Sequence, residues 1–87
     1  MKTSYFSFCG HHVHRHNDIT FDVDLLVKIT DEDPRRRMFE IFNDKWGFEY
    51  NELPDLRYFP RGIYDLTNNY FIDGVFDEFP IVFQRND

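Results

Sequence analysis

From Ile19 to Ile29 every odd-numbered residue is apolar: Ile19, Phe21, Val23, Leu25, Val27 and Ile29. The even positions Thr20, Asp22, Asp24 and Lys28 are polar, and only Leu26 breaks the alternation. Successive side chains of a strand point to opposite faces, so this period of two predicts a half-buried β-strand. Phe6 and Phe8 alternate in the same way, and Asn17-Asp18 suits a two-residue turn between the two arms. Residues 3–29 are therefore expected to form a β-hairpin.

The dry face of such a hairpin needs a cover. Thr30-Asp31-Glu32-Asp33-Pro34 reads as a helix start, because Asp or Thr can cap it and Pro tolerates the first turn. Met38, Phe39, Phe42 and Trp46 recur at helical spacing, Ile41 widens the stripe, and Gly47 marks the stop. Beyond it Phe48 and Tyr50 alternate, and turns fall at Leu53-Pro54-Asp55 and Phe59-Pro60-Arg61-Gly62. Asp73-Gly74 lies between Tyr70-Phe71-Ile72 and Val75-Phe76 as a hairpin turn, while Pro80 leaves Ile81 to Phe83 as an edge strand. The expectation is a single α+β domain over 1–87 with a mostly antiparallel sheet. Its parts are an N-terminal hairpin at about 3–29, C-terminal strands at about 48–84, and one helix at about 33–46 packed on one face. Aromatic residues make up 20% of the chain, enough large side chains to build a core without a disulfide.

Residues 9–16 read Cys-Gly-His-His-Val-His-Arg-His. A two-residue turn at Asn17-Asp18 pairs His16 with Ile19, and uninterrupted pairing then drives His12, His14 and His16 onto the core face. One extra residue, a bulge at Gly10, reverses the alternation. In that register Phe6, Phe8 and Val13 point inward, and the three histidines face solvent beside Thr20, Asp22 and Asp24. Histidines alternating on a strand can chelate a divalent metal such as zinc, with carboxylates orienting the rings. His12, His14 and His16 are the candidate ligands.

The net charge is −6, from 16 acidic residues against 10 Lys and Arg. Such a surface repels nucleic acid and favours a partner with a basic surface. The one basic run, Arg35-Arg36-Arg37, has Asp31, Glu32, Asp33 and Glu40 nearby to pair it, a phosphate or acidic contact being the alternative. Cys9 is the only cysteine and the N-terminal apolar stretch is short and interrupted. An unexported protein of the reducing cytosol is expected. No run approaches the ~18 apolar residues of a membrane span.

Catalytic motifs match only in fragments. His12 to Asp18 resembles the HxHxDH motif of metallo-β-lactamase-type hydrolases but carries His16 where the motif has Asp, so no role transfers. Gly62-Ile63-Tyr64 is similar to the first motif of the GIY-YIG nucleases, and Tyr70 to Gly74 loosely to the second. That resemblance implies two paired strands, an Arg for which Arg85 is suitably distant, and a later Glu that these 87 residues do not provide. Cys9 beside His11 has no oxyanion donor at hand, and a small hydrophobic Cys is the simpler reading.

The expected function is accordingly binding or regulation without catalysis, by occupying the surface of a partner protein. In size and composition the chain resembles small phage-encoded inhibitors of host enzymes or defence systems, some of which present rows of carboxylates. Asp22, Asp24, Asp31, Glu32, Asp33, Asp73, Asp77 and Glu78 are the candidates for such rows. The alternatives are a metal-binding protein or small metalloenzyme built on the histidine strand, and an oligomeric structural protein joined at its sheet edges.

Overall fold

The computed structural model describes residues 1–11 and 13–72. In chain order these form β1 (Lys2–Ser7), β2 (His14–His16), β3 (Ile19–Phe21), β4 (Leu25–Asp31) and α1 (Pro34–Phe42). There follow β5 (Phe48–Tyr50), a 3-10 turn (Leu56–Tyr58), β6 (Gly62–Asp65) and β7 (Tyr70–Ile72). Five strands make one mixed sheet in the order β5-β1-β4-β6-β7, and β2 with β3 makes a separate two-stranded ribbon. The fold class is α+β. Pairing is antiparallel throughout except between β4 and β6, which run parallel. The Asp73-Gly74 turn and the strand at Ile81 to Phe83 lie outside the described residues.

The long alternating stretch is not one strand. The Asp22 side chain accepts a hydrogen bond from the Asp24 N–H at 3.0 Å, and the Leu25 N–H donates to the Asp22 carbonyl at 3.2 Å. This Asp-led turn separates β3 from β4 and leaves Val23 44% exposed, against the alternation. In the ribbon, Asn17 and Asp18 both take positive φ (52° and 64°), the backbone of a two-residue hairpin turn, and His16 faces Ile19.

The register also differs from the single bulge at Gly10. Phe6 pairs with Val27 and His14 with Phe21, so eight residue steps on the first arm oppose six on the second. The surplus is two, and it falls between β1 and β2, where residues 8–11 and 13 lie outside both sheets. An even surplus preserves the alternation that an odd one reverses. His14 and His16 therefore share a side with the buried Phe21 and Ile19, and Val13 is the residue turned out, 63% exposed.

The helix starts where the sequence places it and stops sooner. Asp33 caps it by accepting from the Arg36 N–H at 3.2 Å, and Pro34 occupies the first turn. Asn43, at φ 57°, ends it by donating to the Phe39 carbonyl at 3.0 Å. Trp46 thus sits beyond the helix, its indole Nε1–H bonded to the Asn43 carbonyl at 3.1 Å. Gly47 has a different task from stopping the helix. A Cβ there would stand 3.1 Å from the Cys9 Sγ, and its N–H donates to the Ser7 carbonyl at 2.6 Å, so it lets the chain press against β1.

The helix face of the sheet carries the main core, in which Phe42 is central. Its ring lies 5.2 Å from Phe8 and 4.9 Å from Phe21, both edge-on or steeply inclined. Met38, Val27, Ile29 and Tyr64 complete the layer. The opposite face is also covered: Leu26, Ile63, Leu56 and Phe59 form a second cluster, with Tyr5, Tyr50 and Ile72 against it. Leu26 breaks the alternation because both faces of β4 are dry there. No helix among the described residues is long and apolar enough to cross a membrane.

Candidate functional site

The histidine strand turns toward the core. Residues of β2 and β3 that oppose each other share a face, so His14 and His16 follow Phe21 and Ile19 inward and become half-buried. Their rings meet Phe42 edge-on at 5.5 and 6.0 Å. The face shared with Thr20 is instead occupied by Arg15. His12 lies outside the described residues, and among those described no group of three His, Cys, Asp or Glu is arranged to hold a metal ion.

Among the described residues, the carboxylates singled out from the sequence fall into two groups. Asp22 accepts from the Arg61 guanidinium at 2.8 Å, and the same Arg61 nitrogen donates to the Thr20 carbonyl at 2.9 Å. That pair straps the turn between β3 and β4. Asp31 accepts from the Asp33 N–H at 3.2 Å, and Asp33 is the helix cap. Asp24 and Glu32 are exposed. The 22/24 pair and the 31–33 group stand at opposite ends of β4, about 20 Å apart at the usual strand rise. Asp31, Glu32 and Asp33 line one depression with Arg36, Arg37 and Glu40, so both signs of charge alternate there. Arg36 and Arg37 reach Glu40 at 3.2 and 3.6 Å. Asp73, Asp77 and Glu78 lie outside the described residues.

The nuclease-like segments pair as antiparallel strands, β6 against β7. Tyr64, however, is fully buried between Phe21 and Phe71, and its hydroxyl donates to Asn69 Oδ1 at 3.4 Å. Asp65 is buried as well, accepting from the Asn68 N–H and side-chain amide at 3.1 Å each. These groups hold the β6–β7 loop. Cys9 is a half-buried thiol beside Gly47.

What the sequence reading passed over is the sheet edge at β5. One side of β5 is paired to β1, with Tyr50 opposite Tyr5, Glu49 opposite Phe6 and Phe48 opposite Ser7. Its other side carries no strand among the described residues. Phe48 and Tyr50 project to the face that holds Tyr5, with ring centroids 6.5 Å apart, and Phe48 is 66% exposed. Glu49 projects to the helix side. There the Arg35 guanidinium lies 5.8 Å from the Trp46 ring and 3.9 Å from the Glu49 carboxylate. Trp46 packs edge-on to Phe6 at 5.1 Å and to the exposed Phe39 at 5.4 Å. Leu53 and Tyr58, in the connection leaving β5, are exposed too. The signal was present: Trp46, Phe48 and Tyr50 are aromatic at every second position, more than a three-residue strand needs for its own core.

Beside this edge, Asp55 is held in a fork by Arg57, whose Nε and Nη2 reach it at 3.2 and 2.8 Å. Those side-chain hydrogen bonds, followed by the one from the Arg57 backbone N–H, lower the Asp55 carboxyl below its ordinary pKa. No protein-family model matches the chain, and no curated protein or solved structure matches it either.

Proposed function

We propose that the protein works by occupying the surface of a partner protein, and that the aromatic edge around β5 is the surface it uses. One observation carries this reading. Of the seven exposed large apolar side chains among the described residues, Phe39, Phe48, Leu53 and Tyr58 all belong to the stretch that leads into and out of β5. Scattered apolar residues are ordinary on a protein surface, whereas here Phe39 packs on Trp46 beside Arg35 at one face of the edge and Phe48 stands by Tyr50 at the other, and aromatics with Arg are the usual anchors of an interface. Net charge of −6 favours a partner whose facing surface is basic. A regulatory or inhibitory role follows from occupation itself, since a bound partner loses access to the covered surface.

Affinity capture from the native host's lysate tests the reading, with the Phe48→Ala/Tyr58→Ala variant run in parallel. A stoichiometric partner retained by the wild type and lost by the variant is the expected result. Recovery of no such partner, or equal recovery by both proteins, would overturn it.

A further inference from the structure

The way β5 is exposed specifies what kind of segment it can take. An edge strand presents unpaired backbone N–H and C=O groups, and an extended peptide laid beside it completes their hydrogen bonds. The added strand's side chains alternate between the two faces, as those of β5 do. On one face they meet Phe48 and Tyr50, which ask for apolar residues. On the other they meet Glu49.

Glu49 is the residue that chooses. Its side chain is 23% exposed, and its contact with Arg35 at 3.9 Å is too long for a hydrogen bond. Arg35 holds this carboxylate only at ion-pair distance, and a cation delivered by a partner could approach it to hydrogen-bond range. Over residues 44–55 Asp44, Glu49, Glu52 and Asp55 stand against Lys45, with Asp55 taken up by Arg57. A second copy of this chain is the poorer occupant. Antiparallel pairing of two β5 edges centred on Glu49 would set Glu49 against its own symmetry mate, and like charges directly opposite destabilise a ladder.

We infer that β5 accepts, by strand addition, an extended segment of a partner protein in which Lys or Arg alternates with apolar residues. This rests on the reading of the β5 edge as the partner-binding surface.

The probe is an acetylated Val-Lys-Val-Lys-Val-Lys amide titrated into the isotopically labelled protein, with Trp46 fluorescence giving affinity. Amide shifts concentrated at residues 47–51 are expected. A Val-Glu counterpart should bind at least about tenfold more weakly, and a peptide N-methylated at alternate residues should lose binding. Glu49→Gln should narrow the preference for Lys over Glu, while the variant's own spectrum reports that it is folded. Equal binding of the Lys and Glu peptides, shifts centred away from β5, or dimerisation through this edge would each overturn the inference. If the peptides fail while capture remains dependent on Phe48 and Tyr58, strand addition falls and the aromatic surface stands. If capture fails as well, the surface reading falls with it.

Discussion

Gly47 shows how one position can be named correctly and for the wrong reason. A glycine after an aromatic helical stripe is a reasonable stop signal, but the helix has already ended at Asn43, four residues earlier. What Gly47 provides is closeness, since any Cβ would come within 3.1 Å of the Cys9 Sγ. Its φ is not in the left-handed region, so alanine is acceptable to the backbone and would even reduce the freedom of the unfolded chain. Gly47→Ala is therefore expected to destabilise by about 1 kcal/mol while Cys9 is present, through crowding. With Cys9→Ala in the background the same substitution should become neutral or stabilise by about 0.5 kcal/mol. Denaturant unfolding of the four proteins of that cycle measures both signs. An unchanged effect of Gly47→Ala in the two backgrounds would remove the Cys9 contact from the explanation. None of this was legible in the sequence, because residues 9 and 47 meet only through the pairing of β1 with β5.

At the scale of elements, the ribbon of β2 and β3 has no sheet neighbours among the described residues and is seated over Phe42. Replacing Phe42 by Leu keeps an apolar plug while removing the ring, at a cost of under about 1.5 kcal/mol. The imidazole C–H resonances of His14 and His16 should then move toward random-coil positions, because the ring at 5.5 and 6.0 Å no longer shifts them. Unmoved resonances would mean that the histidines do not face Phe42. The 3-10 turn depends on a different device. The Asp55 carboxyl is lowered by Arg57, so its contribution to stability is present above its ordinary pKa of 3.8 and is lost as pH falls through the lower folded value. The difference in unfolding midpoint between wild type and Asp55→Asn should be present at about pH 7 and vanish by about pH 2. A difference that persists in acid would assign the effect to shape instead of charge. The helix cap at Asp33 and the turn at Asn17-Asp18 were legible, since their chemistry is local. The helix's early end was not, because Trp46 reaches the core from beyond the helix to meet Phe6.

For the molecule as a whole, the decisive arrangement is a sheet buried on both faces at its centre. Leu26 tests this directly. If it lay on a wet strand face, as the alternation suggests, truncation would cost within about 0.5 kcal/mol. As part of the cluster with Leu56, Phe59 and Ile63, Leu26→Ala should cost about 2–5 kcal/mol by thermal or denaturant unfolding. The sequence alone determined the α+β class, the inward set Phe6, Phe21, Leu25, Val27 and Ile29, and the helical stripe from Met38 to Phe42. Those follow from alternation, helical spacing and capping, which act over a few residues. The tertiary structure decided which strands meet, in what register, and therefore which way His14 and His16 point. The parallel pairing of β4 with β6 and the placement of β5 at the end of the sheet among the described residues belong to the same class. Register is a count of residues between contacts that are distant in sequence, and a surplus of two where one was expected returns every side chain to the other face. That parity turned His14 and His16 toward Phe42.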